Sequence, residues 1–465
     1  MKSKFYITTS IAYTNAPPHI GFALETIQAD VLARYRRVSG DGVFFLTGTD
    51  EHGAKIAKAA EKFGKNPQEF TNEISAKFQE LTKGLNLSND DFIRTTDQSR
   101  HWPTVKDIWL KLKENNDIYK KNYKGLYCLG CEAFITQKDL IDGKCKIHLK
   151  EPEAIDEENY FFRLSKYSNK IEELIKKDEV KIIPQEKKNE MLNFVRQGLE
   201  DISFSRPSKD LKWGIPVPDD DSQTIYVWAD ALVNYLLPKK YWPADIHCLG
   251  KDILRFHATI WLGMLLSSKL PLPKSIFVHG FITSNGQKMS KSLGNVVDPF
   301  ELIRKYGADA VRYFLLREIP PTEDGDYTRQ KFEARYNSDL ASGLGNLVAR
   351  VITLGAKFKV QNSKIKITIQ NSKIIDKTRK EYKKALEEFK FNEALIAIWE
   401  LISFCDKIIN EEKPWEGGKE KIIDDLQITI IEIAKLLKPF LPETSEKILE
   451  QLKLRKSQPL FPRLG

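Results

Sequence analysis

The sequence predicts an α/β fold: a doubly wound, parallel-sheet domain interrupted by an insertion with a zinc knuckle, followed by an all-α helical bundle. Three patterns carry that prediction. Short apolar, β-prone runs alternate with helical periodicity across residues 1–116 and again across 208–325, the pattern of a parallel sheet flanked by helices. Between these halves, in 117–207, three cysteines and a histidine fall in two closely spaced pairs. From 326 to 465 the apolar spacing is helical.

The 465 residues leave room for about two to four domains. With 41% hydrophobic and 29% charged residues, the chain has the balance of a soluble globular protein. A net charge of +9 fits a polyanionic partner without specifying one. No apolar run is long enough to span a bilayer, and 258–266 reads as a short core helix. The N-terminal residues lack the apolar core of a signal peptide. Five cysteines, three of them clustered, point to a metal in a reducing compartment rather than to disulfides, so a cytoplasmic location is expected.

Taken in order, Phe5-Tyr6-Ile7-Thr8-Thr9 is the first strand. Pro17-Pro18-His19-Ile20-Gly21-Phe22 turns it into a helix with Leu24, Ile27, Val31 and Tyr35 on one face. Strand, tight turn and helix can aim backbone N–H groups and a positive dipole end at a phosphate. Gly21 would let a ligand approach closely and His19 would add a donor. An ordinary strand–helix corner would read the same way. A second strand, Val43 to Thr47, ends in Gly48-Thr49-Asp50-Glu51-His52-Gly53, followed by a helix with Ile56, Ala59, Ala60 and Phe63. Polar residues at the carboxyl end of such a strand lie where open α/β sheets bind ligands.

In the insertion, Cys128-x-x-Cys131 and Cys145-x-x-His148 have the spacing of a Cys₃His zinc knuckle. Four protein ligands leave no open position, so such a zinc is structural. The α/β pattern resumes with Ile225 to Trp228 as a strand, Ile246 to Gly250 as the next and Ser275 to His279 as the last. A small-residue loop follows, Gly286-Gln287-Lys288-Met289-Ser290-Lys291-Ser292-Leu293-Gly294-Asn295, whose two lysines suit a mobile grip on a polyphosphate. In the helical region Gln-Asn-Ser-Lys-Ile occurs at 361–365 and 370–374 and reads as part of a linker.

Pro-x-His-Ile-Gly near the start together with Lys-Met-Ser-Lys-Ser late in the chain is the paired signature of class I aminoacyl-tRNA synthetases. Over nearly its whole length the chain resembles the methionyl-tRNA synthetases of that class, and most closely the bacterial form with one Cys₃His knuckle. The insertion is too short for the editing domain of the isoleucyl, valyl and leucyl relatives. The cysteinyl type carries its zinc in the catalytic pocket, whereas here the cluster has its own ligand set within the insertion. The resemblance implies a Rossmann-like catalytic domain and an anticodon-binding helical domain. It implies that Ile11 and Tyr13 lie in the first loop of the amino-acid pocket, that Asp50 holds the substrate ammonium, and that Trp228, Ala231, Leu232, Tyr235, Ile253 and His257 surround the thioether. An aromatic, apolar box suits an unbranched polarizable side chain. For ATP it implies His19, Gly21, Phe22, Gly250, Asp252, Lys288 and Lys291, with His19, Lys288 and Lys291 as the catalytic groups. For the anticodon it implies Asn346, Arg350 and Trp415. The expected partners are L-methionine, ATP with Mg²⁺ and tRNA(Met), with one structural Zn²⁺ per chain, no membrane and a monomeric state.

One position departs from the family. Its signature has a second histidine after the glycine, where this chain has Phe22. A phenyl ring cannot donate to a phosphate. A non-catalytic tRNA-binding paralogue is therefore the competing reading; the retained His19, Asp50, Asp252, Lys288 and Lys291 weigh against it. For the knuckle, elemental analysis of purified protein is expected to find about one tightly bound zinc per chain. Protein free of bound metal would remove the knuckle.

Overall fold

The computed structural model describes residues 3–128, 133–135, 137, 140–146, 149–289, 294–358 and 369–465. The chain begins with β1 (Lys4–Thr9), β2 (Ala12–Tyr13), α1 (Ile20–Val38), β3 (Gly42–Asp50), α2 (Ala54–Lys62), α3 (Pro67–Gly84), β4 (Asp91–Arg94) and α4 (His101–Glu114). Next come β5 (Ile118–Cys128), β6 (Ala133–Ile135), β7 (Leu140–Ile141), β8 (Lys144–Cys145), β9 (Glu153–Phe162), α5 (Ser168–Lys176), β10 (Lys181–Ile183), α6 (Gln185–Arg196), β11 (Ile202–Ser203) and β12 (Ser205–Pro207). Then come β13 (Pro216–Val217), β14 (Asp220–Ile225), α7 (Val227–Ala231), β15 (Ile246–Gly250), a π-helical stretch Phe256–Trp261 that leads into α8 (Leu262–Ser267), and β16 (Ser275–His279). The remainder is β17 (Ile282–Ser284), β18 (Gln287–Lys288), α9 (Pro299–Tyr306), α10 (Ala308–Arg317), β19 (Gly325–Tyr327), α11 (Arg329–Arg335), a π-helical stretch Tyr336–Gly345, α12 (Asn346–Lys357), α13 (Ile369–Glu387), α14 (Phe391–Glu412), α15 (Glu420–Leu437) and α16 (Pro442–Leu454).

The main sheet has the order β10-β16-β15-β1-β3-β2, with β4 also on β3. Its pairs run parallel, in registers such as Tyr6↔Phe44, Ile7↔Ile246 and Ile182↔Ile276. Apolar runs of four or five residues can fill such a sheet because both faces are covered. The edge strand β10 lies within 117–207, so the stretch expected to interrupt the sheet also contributes a strand to it. Ile225 to Trp228 is a second correction. Ser205 to Ile225 pairs antiparallel in a small separate sheet, and the chain is already helical from Val227. A short apolar run has no period that separates a buried strand from a buried helix turn. The second copy of Gln-Asn-Ser-Lys-Ile, at 370–374, is helical within α13 rather than linker, while the first lies outside the described residues. Phe63, just past α2, is exposed and stacked on Phe70 with ring centres 5.6 Å apart.

Two compact units emerge. One comprises Met1–Pro18, Gly40–Glu80 and Asn89–Val278; the other comprises His19–Ser39, Leu81–Ser88 and His279–Gly465. The first unit holds a continuous core that includes Tyr6, Leu46, Trp109, Phe162, Phe204, Tyr235 and Trp261. In the second, α1 is buried well beyond the predicted face. Glu25, Gln28 and Asp30 are buried together with Leu24, Ile27 and Val31. Each polar residue has a partner there: Glu25 with His279 at 2.9 Å, Gln28 with the Pro321 carbonyl, and Asp30 with Arg312 at 2.7 Å. Arg312 is fully buried and also donates to the carbonyls of Leu85, Pro439 and Phe440. Burial alone would raise the Asp30 carboxyl, but Arg312, Arg34 and Ser88 hold it below its ordinary value. A buried charge is tolerated when it is paired and fully hydrogen-bonded, as here. Among the described residues, no helix is long and apolar enough to cross a membrane.

Candidate functional site

Of the residues implied for the amino acid, every one falls in the first unit. Tyr13 sits opposite Asp50 in the β2–β3 register, and Ile11 precedes it in the loop after β1. Asp50 ends β3 and is buried, and its backbone carbonyl accepts from both the amide and the hydroxyl of Thr14. Trp228 and Ala231 lie on α7, and Leu232 and Tyr235 on the 3₁₀ turn that follows it. Ile253 and His257 stand one helical turn apart. Trp228 is stacked on Phe256 with ring centres 3.6 Å apart and planes at 8°. The Trp228 indole nitrogen is buried without a hydrogen-bond partner.

His257 and Tyr235 form a defined polar pair in this apolar surround. The His257 Nδ1 faces the Ile253 carbonyl at 3.0 Å, which only accepts, so the ring carries its hydrogen there. Its Nε2 then accepts from the Tyr235 hydroxyl at 2.8 Å. Burial pushes the imidazole down to about 4, so it is neutral at physiological pH. Behind it, His247 is likewise pushed well below its usual value by burial. Trp261 donates to the His247 Nε2, leaving the Nδ1 hydrogen for Thr8 at 2.7 Å.

The residues around Asp50 are equally constrained. Glu51, fully buried, takes the Arg94 guanidinium in a two-point grip at 2.7 and 2.8 Å. His52 reaches Asp230 at 2.6 Å, and His101 reaches the other oxygen of the same carboxylate at 2.6 Å. Sequence pattern had drawn attention to Asp50, Glu51 and His52 as a group but not to Phe256, His101, Arg94 or Asp230. Phe256 was within reach, since it lies three residues after Ile253. The π-helical register there changes which side chains share a face, a feature that often marks functional sites.

In the second unit, His19 caps α1, with its Nδ1 accepting from the Gly21 amide at 3.0 Å. The hydrogen of the neutral ring is therefore on Nε2. A Cβ at Gly21 would lie 2.7 Å from His19 Cε1, so the histidine itself requires the glycine. The amides of Ile20 and Phe22 already bond to the carbonyls of Val297 and His19. The open amide cradle expected of this turn is thus not formed, and the dipole and the histidine are what it offers an anion. Phe22 is half-buried in the first turn. Lys288 is exposed on β18. Its hairpin turns at Asn285 and Gly286, both with positive φ, as a two-residue turn between twisted strands requires. Asp326 holds that turn by bonds to Thr283 and the Gly286 amide. Lys291 lies outside the described residues. Gly250 ends β15 and is buried, and Asp252 is exposed in the turn after it; both belong to the first unit.

Asn346, exposed, opens α12, and Arg350 one turn on is tied to Asp406 and Asn410 of α14. Trp415, in the break after α14, is 43% exposed. Of the four knuckle residues, Cys131 and His148 lie outside the described residues. Cys128 and Cys145 are both buried thiols in one small cluster with Ile135, with neither in a disulfide. That juxtaposition fits two ligands of one metal. Among the described residues, no group of three or more His, Cys, Asp or Glu is arranged to hold a metal.

A family model described as tRNA synthetases class I (M) matches residues 5–139 and 131–352, and one described as the anticodon-binding domain of tRNA ligase matches 372–462. The methionine–tRNA ligase of Thermotoga maritima is 42% identical over 97% of this chain and 75% of its own length. The chain belongs to the methionine–tRNA ligase family. The Bacillus subtilis methionine–tRNA ligase is 40% identical over 99% of this chain and 78% of its own. The Mycobacterium tuberculosis methionyl-tRNA synthetase in complex with methionyl-adenylate superimposes with a TM-score of 0.91 at 36% identity, covering 100% of this chain and 99% of that one.

The neutral His257 gives this family member a pH signature. Folded, the ring takes up a proton only near pH 4, whereas unfolded it does so at its ordinary 6.5. The unfolded state therefore binds more protons between those values, and stability falls as pH drops through that window, by up to about 3 kcal/mol from this group. Thermal unfolding from pH 7 to 4.5 is expected to show a shallower loss for His257→Gln than for the wild type. Identical slopes would mean that the folded ring takes up its proton at the same pH as the unfolded one.

Proposed function

We propose that the chain activates L-methionine with ATP and transfers it to tRNA(Met), releasing pyrophosphate and then AMP. What supports this is that the first unit holds a buried carboxylate, Asp50, and a group of neutral aromatic residues, Trp228, Tyr235, Phe256 and His257, which suit a zwitterion with an apolar, polarizable side chain. Asp50 would hold the ammonium; Ile11, Tyr13, Ala231, Leu232 and Ile253 would complete the enclosure. The methionine carboxylate attacks the α-phosphorus, an O–P bond forms, and the bond to the bridging oxygen breaks as pyrophosphate leaves. Positioning and charge stabilisation supply most of such a step. His19 would donate from Nε2, and Lys288 and Lys291 would neutralise the departing phosphates, with Gly250 and Asp252 on the nucleoside. ATP enters as its Mg²⁺ complex, so that cation belongs to the substrate. The ribose hydroxyl of the terminal tRNA adenosine then attacks the acyl carbon and AMP departs.

The reading extends to Asn346, Arg350 and Trp415 as anticodon contacts. Trp415 is exposed enough to stack on an unpaired base. Arg350 would have to exchange Asp406 for a base edge. It also includes a structural Zn²⁺ on Cys128, Cys131, Cys145 and His148, a monomeric cytoplasmic enzyme, and the division into catalytic halves 1–116 and 208–325, insertion 117–207 and anticodon-binding domain 326–465. The zinc would tie the insertion's loops together.

Methionine-dependent ATP–pyrophosphate exchange tests the activity, and its absence with tRNA binding intact would favour the non-catalytic paralogue. Phe22 adds a sharper expectation. Loss of one preorganised donor typically lowers kcat by about 10²–10³. Single-turnover adenylate formation is therefore expected to rise about ten-fold or more in Phe22→His, about 1.4 kcal/mol off the barrier. An unchanged or lower rate would show a site rebuilt around phenylalanine.

A further inference from the structure

Three elements of the first unit meet on one carboxylate. Asp230 lies on α7 between Trp228 and Ala231. It is fully buried, with one oxygen 2.6 Å from Nδ1 of His52 and the other 2.6 Å from Nε2 of His101. His52 follows Asp50 by two residues at the end of β3, and His101 is the first residue of α4. An ionised carboxylate only accepts, so both imidazoles donate into it and both rings are oriented by it. Burial alone would raise the Asp230 carboxyl, but His52 and His101 bring it down to about 2, so it stays ionised.

The His52 ring is flanked edge-on by Trp102 at 5.9 Å and Trp213 at 5.5 Å. Trp213 in turn donates to the backbone carbonyl of Glu51 at 2.5 Å, and Glu51 is gripped by Arg94. His101 is committed to Asp230 although its other nitrogen, Nδ1, is buried with no hydrogen-bond partner. A buried polar atom left unsatisfied is a cost that persists where geometry demands it. The demand is visible in what the three elements carry: β3 ends in Asp50, and α7 carries Trp228 and Ala231.

We infer that Asp230 is a positioning residue for methionine: through His52 and His101 it holds the wall bearing Trp228 and Ala231 at a fixed place relative to Asp50, so that the ammonium and the thioether of one substrate are met together. The inference rests on the reading of this pocket as the methionine site. It assigns to Asp230 no contact with substrate and no proton transfer.

The test is pyrophosphate exchange on the full chain, with methionine and ATP varied separately and the melting temperature recorded for each variant. Asp230→Asn keeps the size but turns an amide N–H toward one of the donating imidazoles. It is expected to raise the KM for methionine about ten-fold or more, since misplacement by an ångström can cost about 10²-fold. The KM for ATP and the kcat at saturating methionine should change by less than about three-fold, as for an interaction made equally in ground and transition states. His101→Gln, whose amide can donate from the position of Nε2, should keep most of the methionine affinity, and His101→Leu should lose it. The His101 pair decides the matter if Asp230→Asn fails to fold. A lower melting temperature with an unchanged KM for methionine would overturn the inference and leave Asp230 a stabilising residue only. A parallel rise in both KM values, or equal behaviour of Gln and Leu at position 101, would overturn it as well. A wild-type chain without methionine-dependent exchange would fail at an earlier point, taking down the methionine reading and this inference with it.

Discussion

Three consecutive polar residues at the end of β3, Asp50, Glu51 and His52, are buried, and the need to satisfy them governs what surrounds them. A buried carboxylate or imidazole without partners would cost several kcal/mol, a large share of a typical folding free energy of about 5–15 kcal/mol. Glu51 is met by Arg94 of β4 and by the hydroxyls of Thr49 and Thr96. His52 is met by Asp230 of α7, which also binds His101 of α4. Elements far apart in sequence are thus brought to the end of one strand by polar demands rather than by apolar contact alone. Because each partner is hydrogen-bonded in turn, the end of β3 and the start of α7 share a fixed frame, as preorganised recognition requires.

The second unit solves the same problem on another scale. Helix α1 carries His19 at its start and Asp30 near its middle. Arg312 of α10 neutralises Asp30 and saturates carbonyls of Pro439 and Phe440, just beyond the end of α15, where helix carbonyls lack partners of their own. One guanidinium thereby joins α1 to the C-terminal helices within this unit. The helix start is also self-contained: His19 folds back onto the Gly21 amide, and this glycine is required by its own neighbour.

Much of this was legible in the sequence because it depends on local pattern. The parallel sheet follows from apolar runs such as Val43 to Thr47 and Ile246 to Gly250, and the helices of 326–465 from their apolar spacing. The residues proposed for methionine could be named only by resemblance, since Trp228, Tyr235 and His257 read as ordinary core residues from local pattern. What stayed hidden depends on pairing across long separations. Asp230 and His52 are 178 positions apart, a distance no local period can report. The strand over Ile225 to Trp228 failed for a different reason: its residues are apolar enough for a strand or a helix, and the tertiary context chose the turn into α7. The first turn of α1 failed because the histidine side chain, not a ligand, takes the Gly21 amide.

The claim that matters most is that Asp50 and the neutral aromatic wall together bind methionine. Calorimetric titration of methionine into the wild-type chain and into Asp50→Asn at pH 7.5, without ATP, measures it directly. A hydrogen bond to a charged group contributes about 1.5–3 kcal/mol, so the affinity should fall by about ten- to a hundred-fold in Asp50→Asn. Equal affinities in the two proteins would contradict the assignment of the substrate ammonium to Asp50 and, with it, the orientation of methionine in the pocket.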